Sequence, residues 1–406
     1  MMQILKMAFR DLGRNRRRSF FSALAVAIGL ALLMLMASVI QGEMGSALES
    51  AIHLQTGHIQ IRAASYDENK SSLKWEDLVE NPDQIASQIG ALDQVKAATP
   101  RLYASGFLST GDESAGVRIY GVDPQSAAND PYRDGIISGD FLTADDREGL
   151  LIGQPAALKL HLQTGDKVSL SVNTSNGDVL EQTFTIRGIY STNTYGFDSS
   201  TIFLPLAKAQ AITQTEGHAS TIFVLLNDTA DTNSIVNALK SSSNLEVLTW
   251  EDLNTLFIEF ETMANSYISF FYLIILSITA SVIINTLIMS VYERTREIGI
   301  LSAIGMRGGR IMGLFVAEST LLAIGGVLMG LVLGVLSVYL FNINGFYIGN
   351  MGLNGMLVSD TIRARLTADN TINVTIMTFV ATILSGLYPA VMASRMEPVE
   401  ALRAEK

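Results

Sequence analysis

Residues Tyr292–Met306 read YERTREIGILSAIGM, and the reading of this stretch decides the architecture. No Asp, Glu, Lys or Arg occurs from Thr262 to Tyr292; four charges then arrive within the five residues ERTRE, and an apolar stripe follows. About 20 apolar residues suffice to cross a bilayer as a helix, so the charges mark where such a span ends. Arg294, Arg296, Arg307 and Arg310 collect behind it, as the positive-inside rule expects of a cytoplasmic loop. Ile298, Leu301 and Ile304 recur at helical spacing and Gly305, Gly308 and Gly309 follow, which predicts a short amphipathic helix ending in a turn.

Working outward, four stretches are apolar and long enough to span: 20–41, 268–292, 311–341 and 372–394. The first exceeds the apolar core of a cleaved signal and is read as a retained anchor. Ahead of it, Lys6, Arg10, Arg14, Arg16, Arg17 and Arg18 stand against Asp11, placing the N-terminus on the cytoplasmic side; four crossings return the C-terminus there. Residues 1–19 form a basic amphipathic helix with Leu5, Ala8, Phe9 and Leu12 on its apolar face. Residues 293–310 are an inner loop, 342–371 an outer loop and 395–406 a cytoplasmic tail. Between the first two spans, Gly42 to Ile268 carries 13 basic and 30 acidic residues, as suits an outer domain.

Composition agrees with this division. The chain has 406 residues, 48% hydrophobic and 17% charged, with a mean hydropathy of +0.30: too apolar for one soluble domain, too polar for bilayer alone. A net charge of −11 argues against nucleic acid as a partner. The absence of cysteine removes disulfides, thiolate metal sites and cysteine nucleophiles.

Within 42–267, GHIQIRA from Gly57 alternates as a half-buried strand, NPDQIASQIGAL from Asn81 reads as a helix and VRIYGVD from Val117 as a strand. TIFVLLND, DTNSIVNALKSS and LEVLTW between Thr221 and Trp250 read strand, helix, strand. These ends predict an α/β lobe of 42–123 plus 215–267. The segment 124–214 predicts a β-rich insert, with a hairpin turning at Asn176-Gly177 and the strand STIFLPL after it. The expected fold is thus an α-helical membrane protein with one span before and three after a large extracytoplasmic α/β domain.

Catalytic signatures are missing from the sequence. His53, His58, His161 and His218 lie without HExxH or short paired spacing, no GxSxG marks a serine nucleophile, and Asp145 and Asp146 lack EF-hand spacing. No GxxxxGK[ST] cradles phosphate. The chain is expected to be non-catalytic, with no metal or cofactor of its own.

Narrow faces recur in the spans: Ala23, Ala27 and Ala31 in the first, Ser277, Ser281 and Asn285 in the second, Gly326, Gly330 and Gly334 in the third. Small residues at this spacing permit close helix approach, either within the chain or between two copies. Glu318, inside the third span, is expected to pair with a basic residue near the interface. Pro389 should kink or loosen the last turns of the fourth span, and Pro398 can start a tail helix.

The basic N-terminal helix, ERTREIGILSAIGM after the second span, the glycine-stepped third span and the YP…EPVEALR terminus together resemble the FtsX-like family of ABC transporter permeases. TGHIQI, YGVDP and GDFL are similar to its lipoprotein-releasing branch (LolC/LolE); the macrolide-exporter branch (MacB) is the alternative. The resemblance implies that the helix after the second span is a coupling helix seated in a separate ATPase, carried over to Glu293, Arg294, Arg296, Glu297, Ile298, Leu301, Ile304 and Gly305. It implies an outer domain of two lobes, called Porter and Sabre, moved by ATP-driven closure of a partner pair that binds the ATP and Mg. Expected partners are that ATPase pair, a second permease copy or paralogue, membrane lipids, and lipoprotein or other lipid-anchored cargo. Asn173–Asp178 is a tight turn without the longer proline-containing hairpin that recruits a soluble carrier in LolC, so the resemblance implies a LolE-like or homodimeric role. A receptor with an outer sensor domain is the rival of another class; no signalling output module follows the fourth span.

Overall fold

In the computed structural model, residues 2–67, 73–111, 113–228, 232–240, 245–348 and 359–397 are described. The chain begins with helix α1 (Met2–Arg14), breaks at Asn15, and enters α2 (Arg16–Ser50), which continues as a π-helical turn, Ala51–Thr56. The helix therefore outruns the expected end of the first span at residue 41. Lipid dictates only where the apolar run stops; Glu43, Met44, Ala47, Leu48 and Glu49 are good helix formers and carry the backbone onward.

Beyond Gly57, whose φ of +72° lets the chain turn out of the helix, lies a sheet domain. Its elements are β1 (Ile59–Arg62), β2 (Val79–Glu80), α3 (Pro82–Gly90), β3 (Val95–Thr110), β4 (Glu113–Val122) and α4 (Asp130–Asp134). There follow β5 (Ile136–Gly139), β6 (Gly149–Gly153), α5 (Gln154–Lys159), β7 (Lys167–Asn173), β8 (Val179–Tyr190), α6 (Tyr195–Asp198) and β9 (Thr201–Pro205). The domain closes with α7 (Leu206–Thr213), β10 (His218–Ala219), β11 (Thr221–Leu226), α8 (Thr232–Lys240), β12 (Glu246–Thr249) and α9 (Trp250–Leu253).

Ten of these strands make one sheet in the order β12-β1-β11-β3-β4-β9-β6-β8-β5, with β7 paired to both β3 and β8. The 16-residue β3 is shared: Val95–Arg101 pairs with β11, and Leu102–Thr110 with β4. The β3–β4 hairpin, assigned from the sequence to the α/β lobe, thus supplies Leu102, Leu108, Val117 and Ile119 to the insert's core beside Leu150, Leu170, Phe184 and Ile202. The α/β core of Ile59, Val79, Ile89, Ile222, Val236 and Val247 is separate. An insertion boundary at residue 124 is accordingly too late, because strand pairing continues through the lobe junction. An aromatic cluster of Tyr103, Tyr120, Tyr132, Tyr190, Phe197 and Phe203 makes a third core.

The remaining helices are α10 (Thr255–Glu293), α11 (Thr295–Ala303), α12 (Gly308–Asn344) and α13 (Ala368–Ser394), with short paired strands β13 (Phe346–Tyr347) and β14 (Thr361–Ile362) between the last two. With α2, the helices α10, α12 and α13 are long and apolar enough to cross a membrane. α13 continues through Pro389 to Ser394; the tail helix expected from Pro398 lies outside the described residues.

Two compact units result, 1–43 with 261–346 and 362–406, and 44–260 with 347–361. Of the expected outer loop, the described residues 347–348 and 359–361 therefore belong to the sheet unit. There Asp360 donates its N–H to the Asn193 carbonyl (2.9 Å) and accepts the Tyr195 N–H (3.1 Å). In the helical unit, the glycines of α12 meet α2: a Cβ at Gly326 would lie 2.6 Å from the Val26 side chain and one at Gly330 3.0 Å from Leu30. Gly334 faces Met34, and Ala23, Ala27 and Ala31 are buried on α2. These faces are consumed within the chain. Ser277, Ser281 and Asn285 differ, being exposed on α10.

Candidate functional site

The helix α11 is held at its start by a cluster of charges. Arg294 is 7% exposed, and its guanidinium reaches Asp11 of α1 (2.5 Å), Glu297 (3.2 Å) and Glu318 of α12 (3.8 Å). Burial alone would lower the pKa of Arg294, but Asp11, with Glu318 and Glu297, holds it above its ordinary value. Around this hub, Arg14 pairs with Glu297 (2.9 Å) and Arg18 with Glu293 (2.6 Å). Exposed pairs of that kind contribute little singly, roughly 0–1 kcal/mol; removing one partner of a buried pair costs about 3–5 kcal/mol. The Arg294 hub thus fixes α1, α11 and α12 to one another, and Glu318 finds the basic partner expected of it.

Packing divides the apolar stripe. Ile298 is buried with Val291, Ile311, Phe315, Ala390 and Ala393, and Leu301 is half-buried, whereas Ile300 is 48% and Ile304 76% exposed. The expectation that Ile298, Leu301 and Ile304 form one outward docking face is therefore corrected: Ile298 anchors the helix to its own bundle. Glu293 and Glu297 are drawn toward the arginines of α1 and α2. The outward face is Arg296, Ile300, Ala303 and Ile304, ending at Gly305, which turns the chain at φ +94°.

Ile300 and Ala303 were missed in the sequence. Their signal was present: α11 is apolar over more than half its circumference, and a helix on a protein surface needs only one such face for its own core. The basic helix α1 behaves similarly, with Ala8 buried, Leu12 packed against α2 and α10, and Phe9 left 73% exposed; nothing is assigned to Leu5, whose side chain lies outside the described residues.

Among the described residues no group of three or more His, Asp or Glu is placed to hold a metal ion. The arrangement is a braced helix presenting apolar side chains and a cation on its outward face.

Known proteins resemble the chain along its length. Residues 19–242 match the MacB-like periplasmic core domain and residues 269–398 the FtsX-like permease C-terminal domain. An uncharacterized ABC transporter permease of Methanocaldococcus jannaschii is 24% identical over 99% of this chain and 98% of its own length. The lipoprotein-releasing system transmembrane protein LolC of Neisseria meningitidis is 22% identical over 97% of this chain and 96% of its own. The macrolide export ATP-binding/permease protein MacB of a Shewanella species is 24% identical over 99% of this chain, which spans 60% of that relative's length.

Proposed function

This chain belongs to the MacB/FtsX-like family of ABC transporter permeases, and from that premise we propose that it couples ATP hydrolysis on a separate ATPase chain to movement of its sheet domain. In this reading the sheet domain is extracytoplasmic, both termini are cytoplasmic, and α11 seats in the ATPase. ATP and Mg are bound by that partner. The observation that carries the reading is the outward pair Ile300 and Ile304 on a helix whose opposite side is locked by Arg294 and Ile298. An exposed isoleucine pair needs a cover, and a braced helix can pass force without yielding.

The cargo in this reading is a lipoprotein or another lipid-anchored molecule. At about 0.8 kcal/mol per buried CH₂, drawing acyl chains through water costs on the order of tens of kcal/mol, so such a transfer needs a powered machine. Export of peptides or small molecules is the second reading, favoured by the equal similarity to the macrolide relative. A second permease copy or paralogue completes the assembly, supported by Ser277, Ser281 and Asn285 lying exposed on a helix that crosses lipid, where polar side chains seek a neighbouring helix.

Ile304→Asp places a charge on the outward face, where burial without a partner is costly. The variant is expected to accumulate and melt as wild type but to lose the ATPase on pull-down and at least tenfold of transport-coupled hydrolysis. Ile298→Asp, striking the bundle core, should instead lower the melting temperature. Undiminished ATPase capture by the I304D protein would refute the docking role of this face.

A further inference from the structure

The π-helical turn that ends α2 is gripped from the sheet. Arg101 is fully buried, 0% exposed, on β3, where it follows Pro100. Its Nη1 donates to the Leu54 carbonyl (3.2 Å), and its Nη2 lies 3.4 Å from both the Ala128 carbonyl and Asn129 Oδ1. The Tyr132 hydroxyl donates to the same Leu54 carbonyl (2.5 Å), and the Tyr103 hydroxyl to the Gln55 carbonyl (3.3 Å). The guanidinium lies 3.4 Å from the ring centre of Phe223 and 5.7 Å from that of Tyr132. Among the described residues no carboxylate pairs with it, and its Nε has no hydrogen-bond partner.

A buried cation without a counter-charge costs several kcal/mol. Two features offset that cost here. The last carbonyls of a helix lack intrahelical donors and carry the negative end of its dipole, and aromatic faces attract a desolvated guanidinium. A leucine or methionine at this position would fill the space more cheaply but would grip nothing. Burial also pushes the Tyr132 hydroxyl up to about 12, so it stays a donor at any physiological pH.

We propose that Arg101, with Tyr132 and Tyr103, is the joint that fastens the helix of the first span to the sheet domain, so that displacement of that helix moves the domain as one body. The residues are positioning residues for coupling, and the proposal rests on the powered movement proposed above. The second span enters differently. Short α9 carries a capping box between Thr249 and Asp252, Asn254 interrupts the helix, and its side chain bonds the Trp250 carbonyl (2.8 Å) before α10 begins. The Asn254 side chain also reaches Thr56 Oγ1 at the end of the π-helical turn (3.5 Å).

The test uses the full chain with its co-purified ATPase in nanodiscs, which the cysteine-free sequence makes clean to label. Spin labels at Glu49→Cys on α2 and Lys159→Cys on α5, both exposed, report the joint; Lys159→Cys alone, one label per permease copy, reports domain displacement between ADP and ATP with vanadate. In the wild type the 49–159 distance should be single and unchanged by nucleotide while the 159–159 distance shifts. Tyr132→Phe, which removes one hydroxyl and keeps the ring, should broaden the 49–159 distribution at least twofold and halve the 159–159 shift, with ATP hydrolysis within twofold of wild type. Arg101→Met should do both more strongly, or fail to fold, in which case Tyr132→Phe decides. If Tyr132→Phe keeps a narrow 49–159 distance and the full shift, the joint is overturned. A wild type whose 159–159 distance ignores nucleotide would instead sink the powered movement, and the 49–159 width would then decide the joint by itself.

Discussion

Asp198 shows how much one side chain can hold that its neighbours in sequence do not announce. It is 1% exposed and accepts hydrogen bonds from Ser191 Oγ (3.1 Å), Thr192 N–H (2.9 Å) and Thr192 Oγ1 (2.7 Å). Burial outweighs these donors and, with the charge of Asp360 nearby, pushes its carboxyl from 3.8 up to about 6. Between about pH 4 and pH 6 the folded protein then keeps a proton that the unfolded chain has released, so this group's contribution to stability falls as pH rises through that window. Two units correspond to at most about 3 kcal/mol. The melting temperature of wild type relative to Asp198→Asn, measured in detergent, should accordingly decline from pH 4 to pH 6 and level off above it; a flat difference would contradict the shift. Residues such as Asp198 and Arg101 were the least legible part of the sequence. Their hydrogen-bond partners lie 6 to 47 positions away, and no local pattern marks a lone Arg after Pro100 as a buried clamp.

Elements were far more legible, because each announces itself through its own periodicity. Four apolar runs became α2, α10, α12 and α13, and Asn176-Gly177 sits between β7 and β8 as a hairpin turn, with Gly177 at φ +86°. What escaped was the extent of the elements. α2 and α10 run past the lipid-compatible stretches into polar sequence, since backbone hydrogen bonds continue wherever helix formers allow. The α2–α12 contact can be tested at its glycine step. Gly330→Leu should drive the two helices apart, because a Cβ alone would already sit 3.0 Å from Leu30 and 3.1 Å from Ala27; a loss of about 1–3 kcal/mol is expected, read as a lower melting temperature in detergent. Gly325→Ala, in the preceding turns with no atom within 4 Å of the new Cβ, should be neutral or gain up to about 1 kcal/mol of helix propensity. Equal effects of the two would mean that α2 and α12 do not meet at this step.

At the scale of the whole molecule, the proposed orientation places the β7–β8 turn outside and the α11–α12 turn inside. A cysteine at Asn176, exposed at the tip of its hairpin, should react with an impermeant thiol reagent in intact cells or spheroplasts. One at Gly309, where a Cβ meets nothing within 4 Å, should react only after lysis. Gly308 is the poorer probe, because its Cβ would press within 2.8 Å of the Ser394 carbonyl. The opposite labelling pattern would invert the orientation. The order of the long apolar helices and the sheet domain along the chain was readable from hydropathy, but the joining of Asp360 to the sheet unit was not, since its contacts to Asn193 and Tyr195 join segments 165 or more residues apart.

The shared strand β3 bears on how such domains can be recombined. Its backbone hydrogen bonds serve the α/β lobe through Arg101 and the insert from Leu102 onward, so the insert is no detachable cassette. Exchanging 124–214 between two permeases would leave the recipient's β3–β4 hairpin pressed against a foreign core and facing a foreign β7 and β9. A chimaera meant to transplant specificity should therefore carry residues 102–214 as one piece, with the upstream seam inside a strand, between Arg101 and Leu102, rather than in a loop.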